Sequence, residues 1–211
     1  MGTLDAGTYN VVFSHPLYQS DTVSQVVLQN DSITVLDINL YSLTPLNLNI
    51  ETKLLGQNNA LSNVSFIISN DDFTYSGTTN QNGLFTVNNL IPGSYNIYAG
   101  IWGFKDFCLE NFSIVDDNSQ FIMSFEQGDQ DQFNIDLGWT INSSAASGVW
   151  ERAQPVLTLY NNSDTCSPGY ESNDCGDFAY VTGNLGGFPS SDDVDLGYVQ
   201  LVLSLIHISE P

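Results

Sequence analysis

The stretch Leu4-Asp5-Ala6-Gly7-Thr8-Tyr9-Asn10-Val11 returns 86 residues later as Leu90-Ile91-Pro92-Gly93-Ser94-Tyr95-Asn96-Ile97. The same offset continues without a gap until Leu28 meets Ile114. Self-similarity at a fixed period indicates tandem copies of one structural unit, and this period is the length of a small all-β module. The first copy starts in its second half, so the sequence predicts that Met1 lies inside a module that begins elsewhere.

Short runs rich in Val, Ile, Tyr, Phe and Thr follow one another along the second copy of this unit, residues 44–127, with Asn, Asp, Gly and Pro between them. Runs of this composition bounded by turn residues predict β-strands, and no helical period competes with them. The seven predicted strands are Leu46–Leu54, Val64–Ser69, Phe73–Thr79, Leu84–Val87, Ser94–Ala99, Phe107–Val115 and Gln120–Phe125. Seven short strands in a unit of this length predict a β-sandwich.

Residues 79–97 read TNQNGLFTVNNLIPGSYNI and contain the pattern T-x-x-x-G-x-F followed by L-x-x-G-x-Y. This pattern resembles the carboxypeptidase regulatory-like family, close to the collagen-adhesin B-type repeats, and the resemblance implies a transthyretin-like sandwich. Gly83 is expected to allow the positive φ of a hairpin turn, and Gly93 to form the turn that returns the chain. Phe85 and Tyr95 are expected to fill the core between the two sheets.

The character of the sequence changes from about Gly128 onward. Residues 129–132 read DQDQ and predict a polar linker. After it come FNIDLGWT at 133–140, GVWER at 148–152, AYVTGN at 179–184 and DDVDLG at 192–197. In that order these segments resemble a jelly-roll module of the concanavalin-like or MAM-like type, which occurs in secreted bacterial proteins. The resemblance implies that only the first part of such a module is present.

The last nine residues, Leu203–Pro211, read LSLIHISEP and resemble the in-frame translation of a sequencing adapter. Such a segment is excluded from fold reasoning. The predicted fold class is therefore all-β, with tandem transthyretin-like or Ig-like β-sandwiches and an incomplete jelly-roll β-sandwich. The predicted units are the second half of a transthyretin-like repeat (1–43), a complete sandwich (44–127), the N-terminal part of a jelly roll (128–202) and a non-native tail (203–211).

The charge of the chain is strongly one-sided. Asp and Glu number 24 against 3 Lys and Arg, which gives a formal net charge of −21. This balance argues against nucleic acid and anionic membranes as partners, because both are bound through Lys and Arg. No run approaches the roughly 18 apolar residues of a membrane span. The acidic surface suits cations such as Ca²⁺, and solubility in a salty extracellular medium is the alternative interpretation.

A calcium site is predicted in the C-terminal region, where acidic and amide side chains lie among glycines. The candidate ligands are Asp177, Asn184, Asp192, Asp193 and Asp195. Asp193 and Asp195 are two residues apart and would point the same way in an extended chain, so both could reach one ion. The alternative is an acidic turn whose carboxylates bind their own backbone amides.

The three cysteines indicate the compartment in which the chain works. Cys166 and Cys175 flank a polar, turn-rich loop and are predicted to form a short disulfide, because no further Cys or His stands nearby to complete a metal site. Cys108 lies between apolar residues and is predicted to be a buried free thiol. A disulfide favours an extracellular or cell-surface location.

No catalytic residues are predicted, and the chain is expected not to be an enzyme. Nucleophilic catalysis needs a base next to Ser or Cys, and His15, which precedes Pro16, is expected in a strand-end turn. The other histidine, His207, belongs to the adapter-like tail. A zinc peptidase needs several His and Glu ligands, which one usable histidine cannot supply.

The sequence therefore predicts a non-catalytic structural or adhesive part of a secreted multi-domain bacterial protein, used for spacing, adhesion or substrate presentation. Its partners would be neighbouring domains of the same polypeptide and a protein or polysaccharide surface. One alternative is the accessory region of an extracellular zinc carboxypeptidase or other peptidase. A second alternative is a carbohydrate-binding module that stacks sugars on Trp139, Trp150 and the tyrosines, although the strand-like surroundings of the two tryptophans favour the core for both.

Overall fold

The computed structural model describes residues 5–116, 119–161, 163–172, 174–187, 190 and 192–203, and these residues form an almost wholly β protein. Their strands in chain order are β1 Gly7–His15, β2 Tyr18–Leu28, β3 Leu46–Leu54, β4 Ser65–Ser69, β5 Thr74–Thr78, β6 Leu84–Leu90, β7 Gly93–Gly100, β8 Phe107–Ile114, β9 Ser119–Phe125, β10 Thr140–Ser143, β11 Trp150–Ala153, β12 Thr158–Tyr160, β13 Asp164–Ser167, β14 Ala179–Thr182 and β15 Val199–Val202. Within the described ranges no helix is long and apolar enough to cross a membrane. The predicted all-β class is confirmed.

Residues 46–125 form a sandwich of two sheets, with strand orders β6-β3-β9 and β5-β4-β7-β8. The seven strands predicted for this unit are all present, and their ends differ from the prediction by at most three residues. At the centre of the first sheet, Ile50 lies opposite Phe85 of the antiparallel β6 and opposite Phe121 of the parallel β9. In the second sheet β4 lies between β5 and β7.

Alternating side chains fill the space between the two sheets, because successive residues of a strand point to opposite faces. On β9, Met123 and Phe125 are buried whereas Ile122 is exposed, as the sequence predicts. Phe85 packs edge-on against Phe66, with ring centroids 4.8 Å apart. The buried core consists of Leu46, Leu48, Ile50, Val64, Phe66, Ile68, Val87, Leu90, Tyr95, Ile97, Ala99, Ile114, Met123 and Phe125.

The motif residues at 83, 93 and 95 lie at the two ends of β6 and in the core of the sandwich. Gly83 has a φ of +69°, and a Cβ there would lie 2.5 Å from the backbone oxygen of Thr52, so the turn requires glycine. Gly93 begins β7 directly after the two-residue turn that follows β6. Tyr95 is 1% exposed, and its hydroxyl donates to the carbonyl of Ile91 over 2.6 Å. The expected turn at Gly83 and the expected core position of Tyr95 are both found.

From Gly7 to Phe13 the hairpin β1–β2 repeats the register of the hairpin β7–β8 at the offset of 86. Gly7 lies opposite Leu28, just as Gly93 lies opposite Ile114. Both hairpins then carry a bulge immediately after their tyrosine. The internal repeat of the sequence is therefore a repeat of structure, including its irregularity.

An unusual backbone conformation also recurs at the same offset. Gln25 and Asn111 have φ values of 58° and 55°, which few residues other than glycine adopt. Each of their amides donates to an asparagine side chain, at Asn10 over 3.2 Å and at Asn96 over 3.0 Å. Each asparagine stabilises the bulge of its hairpin, because its side chain accepts a hydrogen bond from the amide that the bulge leaves without a partner on the opposite strand.

Residues 140–202 form three antiparallel ribbons that pair β10 with β15, β11 with β14 and β12 with β13. The pairs are nested, since the outermost strands pair with each other and the innermost two form a hairpin. This is the winding order of a jelly roll. In the outermost pair Thr140 lies opposite Val202 and Ser143 lies opposite Val199.

Tryptophan side chains join the sandwich to the C-terminal region. The indole N–H of Trp102 donates to the carbonyl of Leu137 over 2.6 Å, and its ring meets Trp139 edge-on with centroids 5.8 Å apart. The indole N–H of Trp139 in turn donates to the carboxylate of Asp131 over 2.7 Å. Trp139 is therefore packed into this junction and does not form an open stacking platform.

The segment 129–132 is an ordered part of the same junction and not the free linker that its composition predicts. The amide of Gln132 donates to Asp106 of the sandwich over 2.8 Å. Lys105 forms a β-bridge with Gln130 and an ion pair with Glu126 over 2.9 Å. Backbone hydrogen bonds thus hold this polar segment against the loop that precedes β8.

A disulfide joins Cys108 of β8 to Cys175 of the C-terminal region, with the two Cα atoms 6.2 Å apart and a sequence separation of 67. Cys166 is an exposed free thiol. The predicted pairing of Cys166 with Cys175 is therefore wrong, and so is the predicted free thiol at Cys108. The bond links two parts of the fold that the sequence analysis treated as separate units.

Local structure explains this pairing. Cys166 lies in β13, and the antiparallel contact with β12 fixes that strand. The carbonyl of Cys175 accepts a hydrogen bond of 2.6 Å from the buried side chain of Asn134, which lies between Asp131 and Leu137 of the junction. Cys175 is thereby held beside the sandwich, where Cys108 lies within disulfide range.

Asp106 is expected to make the junction more stable at acidic than at neutral pH. Burial raises the pKa of Asp106 to about 7, and the negative Asp131 adds to the rise, although the hydrogen bond from Gln132 opposes it. The folded state then binds more protons than the unfolded state between about pH 4 and 7, so stability falls as the pH rises through this window. Thermal melting followed by tryptophan fluorescence at pH 5 and pH 8 measures the effect.

The matched control for this expectation is Asp129, an exposed aspartate of the segment 129–132 that packs against the loop of Asp106. Asp106→Asn should reduce the difference in melting temperature between pH 5 and pH 8, whereas Asp129→Asn removes the same charge from the surface and should leave that difference nearly unchanged. An Asp106→Asn variant whose pH dependence matches that of the wild type would contradict the assignment.

Candidate functional site

A cleft of about 560 Å³ opens among the ribbons of the C-terminal region. Trp150 of β11 and Val181 of β14 line one wall, and Thr158 and Ser167 of the ribbon β12–β13 line another. Its volume falls within the range of small-molecule sites in proteins. The cleft is therefore the candidate binding site of this chain.

Strand pairing makes the walls of the cleft rigid. Trp150 lies opposite Thr182 in the ribbon β11–β14, so its half-buried ring stands on a paired strand. On the other wall Thr158 is buried, and its hydroxyl lies 2.6 Å from the hydroxyl of Ser167. Paired strands hold side chains more precisely than loops do.

The rim of the cleft carries a second aromatic side chain and a carboxyl group. Tyr170 lines the cleft and is 75% exposed. The Oε2 atom of its neighbour Glu171 is buried and has no hydrogen-bond partner among the described residues. Burial raises the pKa of Glu171 to about 7, and Asp174 contributes further to the rise. Near neutral pH this carboxyl group can therefore either donate or accept a hydrogen bond.

Aromatic, hydroxyl and carboxyl side chains line the cleft. Among the described residues that line the cleft there is no histidine, lysine or arginine. The thiol of Cys166 contacts the carbonyl of Asp164 at 3.8 Å, and a carbonyl cannot accept its proton as a base. The cleft thus offers aromatic surface and hydrogen-bonding groups without an activated nucleophile.

The five predicted calcium ligands do not all meet in this cleft. Asn184, Asp192 and Asp193 line it, whereas Asp177 and Asp195 do not. In the described part of the chain no three side chains of His, Cys, Asp or Glu gather closely enough to hold a metal ion. Calcium binding at the aspartate pair stays a prediction, which a calcium titration of the whole chain tests.

Hydrogen bonds within the turns occupy several of the predicted ligand atoms. The two carboxylate oxygens of Asp192 accept from the amides of Leu185 and Gly186 over 3.0 and 3.3 Å. The side-chain oxygen of Asn184 accepts from the amide of Val156 over 2.8 Å. For Asp192 the structure supports the alternative that the sequence analysis considered, namely a carboxylate that binds the backbone amides of its own turn. Asn184 instead joins its loop to the segment before β12, since its side-chain amide also donates to the carbonyl of Gln154 over 2.8 Å.

The sequence analysis missed the residues that shape the rim. Tyr170 and Glu171 lie in the loop that was expected to be closed by a short disulfide, so Glu171 was not considered and Tyr170 was not distinguished from the other tyrosines. An exposed aromatic side chain next to a carboxylate, in an otherwise polar loop, was the available signal. Trp150 was considered for carbohydrate stacking, and the structure places its half-buried ring in the wall of the cleft.

No protein-family model matches the chain, and no curated protein matches it. Among solved structures, the streptococcal ancillary pilin aligns with 59% of this chain and 43% of its own, at 16% identity and a TM-score of 0.43. The Bacillus anthracis TIE protein aligns with 58% of this chain and 25% of its own, at 18% identity and a TM-score of 0.34. This chain thus spans less than half the length of either protein. Neither the fold nor the function of this chain is inferred from likenesses so distant.

Proposed function

We propose that this chain is a non-catalytic structural and adhesive part of a secreted multi-domain protein, which spaces or presents neighbouring domains. The observation that carries the proposal is the disulfide between Cys108 and Cys175, because it joins two β units into one covalent body. Disulfides persist in oxidising compartments outside the cytosol, and this supports an extracellular or cell-surface location. A body of this kind fixes the distance between its neighbouring domains and transmits force between them. Neither role needs a catalytic centre.

The noncovalent junction supports the same role. Trp102, Trp139 and the pair Asp106 and Asp131 form a contiguous contact between the sandwich and the C-terminal region. Junctions with buried polar hydrogen bonds and aromatic packing restrict the relative motion of two units more than a polar linker does. The chain is accordingly suited to hold a fixed distance between its neighbours.

The surroundings of His15 support the absence of catalysis. Its Nδ1 atom accepts a hydrogen bond from the amide of Leu17 over 3.2 Å, and its ring packs edge-on against Tyr18 with centroids 5.1 Å apart. Both contacts stabilise the turn between β1 and β2. His207 lies outside the described residues.

Small-angle X-ray scattering of the whole chain tests the proposal, with Cys166→Ser introduced to prevent dimerisation through the free thiol. The oxidised chain is expected to scatter as one particle of fixed maximum dimension, and reduction is expected to lengthen it. An oxidised chain that scatters as two units at variable separation would contradict the proposal. Turnover of peptide or oligosaccharide libraries by the purified chain would contradict its non-catalytic part.

Carbohydrate binding is a second candidate, favoured by the cleft alone. Trp150 and Tyr170 both line it, and aromatic rings of this kind stack on sugar faces. Glu171 and Asp193 supply oxygen atoms for hydroxyl groups. Because the lining is acidic and the net charge is −21, the candidate ligand is a neutral oligosaccharide and not an acidic one.

Trp150→Ala is expected to weaken the binding of a neutral oligosaccharide at least tenfold, because loss of one stacking ring costs on the order of 1.4 kcal/mol or more. Tyr160→Ala is the matched control, since Tyr160 is exposed, belongs to the neighbouring β12 and does not line the cleft. A glycan array followed by titration calorimetry measures both variants. Equal binding by the wild type and Trp150→Ala would remove this candidate.

A further inference from the structure

The cleft of the C-terminal region carries negative charge that the chain does not neutralise. Glu171 and Asp193 both line the cleft, and Asp193 is exposed. The chain has 3 basic side chains, and each of them lies outside the lining: Lys53, Lys105 and Arg152. Because binding pairs surfaces of opposite potential, a ligand that carries positive charge complements this cleft.

Glu171 contributes an acceptor that the described residues leave without a donor. Its Oε2 atom is shielded from solvent and has no hydrogen-bond partner among them, while Oε1 accepts a long hydrogen bond of 3.5 Å from the hydroxyl of Ser172. The charged groups that act on this carboxyl are negative, since both Asp174 and Asp177 raise its pKa. A cation beside Glu171 would relieve this repulsion and supply the missing donor.

Aromatic and apolar side chains surround these carboxyl groups. Trp150 is half-buried and Tyr170 is 75% exposed, and both line the cleft. None of the other described aromatic side chains packs its ring against either of them. Val156 and Val181 add apolar surface to the same lining. A cation is attracted to the face of a tryptophan or tyrosine ring, and a hydrocarbon stem packs on the apolar surface beside it.

A primary alkylammonium group fits these features better than other ligand classes do. A neutral sugar would stack on the rings but would leave the negative charge unpaired. A metal ion needs several acidic ligands, and in the described ranges no three side chains of His, Cys, Asp or Glu gather for one. A guanidinium group prefers a carboxylate with two available oxygens, whereas Glu171 offers one free acceptor, which suits a compact ammonium.

We propose that this cleft binds the side chain of a lysine that belongs to a partner polypeptide. The ammonium pairs with the carboxylate of Glu171, and Asp193 adds to the negative potential around it. The four-carbon stem of the lysine lies against Trp150 and Tyr170. The net charge of −21 attracts a basic partner before contact is made. Binding of this kind adds adhesion to the spacing role and does not depend on it, because neither Cys108 nor Cys175 lines the cleft.

N-acetyl-lysine amide is the probe, and N-acetyl-norleucine amide, which has the same four-carbon stem without the ammonium, is its matched control. Titration calorimetry of the whole chain at pH 8 is expected to give an affinity at least about tenfold higher for the lysine derivative. The thiol of Cys166 reports occupancy, because it is exposed, unbonded and lines the cleft. Its alkylation by iodoacetamide is expected to slow as the lysine derivative saturates the chain.

Two variants separate a specific site from general attraction to an acidic protein. Glu171→Gln is expected to weaken binding of the lysine derivative at least about tenfold. Glu151→Gln removes the same charge from an exposed residue of β11 that does not line the cleft, and its affinity should stay within about twofold of the wild type. A neutral oligosaccharide would still bind Glu171→Gln, because the amide oxygen accepts hydrogen bonds from hydroxyl groups.

The pH dependence of binding identifies the carboxyl group involved. Glu171 takes up a proton near pH 7, so the wild-type affinity for the lysine derivative should fall about tenfold between pH 8 and pH 6. The affinity of Glu171→Gln should change little over the same range. Both proteins keep the other carboxyl groups of these surroundings: Asp174, Asp177, Asp192 and Asp193.

Four results would overturn the proposal. The first is equal affinity for the lysine and norleucine derivatives. The second is binding that leaves the alkylation of Cys166 unchanged, which would place the lysine elsewhere. The third is tighter binding of cadaverine or N-acetyl-arginine amide, which would show a site for a free diamine or a guanidinium. The fourth is binding of a neutral oligosaccharide, and not of the lysine derivative, by the wild type. None of these results bears on the scattering test of the scaffold.

Discussion

Replacing Cys108 and Cys175 together with alanine is expected to lower the free energy of unfolding by about 4 kcal/mol. The disulfide has a sequence separation of 67, and the loss of loop entropy in the unfolded chain gives a stabilisation of that size. Urea denaturation followed by tryptophan fluorescence measures the loss, because Trp102 and Trp139 both lie at the junction that the disulfide secures. The C-terminal ribbons are expected to unfold at lower urea concentration than the sandwich.

Cys166→Ala provides the matched control for this variant. Cys166 is exposed and unbonded, so its replacement should change the free energy of unfolding by less than about 0.5 kcal/mol. Peptide mapping of the oxidised chain should find one crosslinked pair, between Cys108 and Cys175. A crosslink between Cys166 and Cys175, or an equal loss of stability in the control, would contradict the assignment.

Tyr95→Ala is expected to destabilise the sandwich by about 4 kcal/mol, because truncation of a fully buried aromatic side chain leaves a cavity and removes its packing. The variant also removes the hydroxyl that binds the carbonyl of Ile91. Tyr75 lies beside it, with ring centroids 6.0 Å apart, and loses an aromatic contact. Urea denaturation of the wild type and the variant measures the difference.

The internal repeat supplies the control, at Tyr9. The hydroxyl of Tyr9 donates to the carbonyl of Asp5 over 2.9 Å, which is the same bond at the equivalent position, but Tyr9 is only half-buried. Tyr9→Ala is therefore expected to cost less than half as much, since the cost follows buried area. Equal losses at the two positions would mean that the hydrogen bond, and not burial, carries the stabilisation.

The sandwich could be predicted from the sequence because each of its signals is local. The apolar residues Phe121, Met123 and Phe125 stand at every second position and indicate which face of β9 is buried. Gly83 indicates a turn. The repeat added information beyond propensity, because it aligned two hairpins whose bulges and asparagine contacts turned out to match. The ends of the strands could also be predicted, because turn residues separate the runs of β-forming residues.

The disulfide could not be predicted, because its partners are far apart in sequence and the choice depends on tertiary contacts. Cys166 and Cys175 are close along the chain, and that proximity favoured the wrong pair. The contact between Asn134 and the carbonyl of Cys175 places Cys175 near β8, and no local pattern indicates it. The same holds for Asp106, since an aspartate in a sequence indicates solvent exposure, whereas its Oδ1 atom is buried.

The candidate cleft was predictable only in part. Trp150, Asn184 and Asp192 were singled out from the sequence, and all three line the cleft. Their roles differ from the prediction, because Asp192 binds backbone amides of its own turn. Composition identifies polar atoms in a loop, but whether they face a ligand or their own backbone is decided by the path of the loop.

When the chain is pulled at its two ends, the Cys108–Cys175 bond carries the tension directly from one cysteine to the other. Tension applied at the two ends reaches Cys108 at the start of β8 and continues from Cys175, so the residues between them bear no load while the bond is intact. These residues include β9 to β13 and most of the junction. Their stretched contour would be about 230 Å, and this length becomes available to an extending force only after reduction.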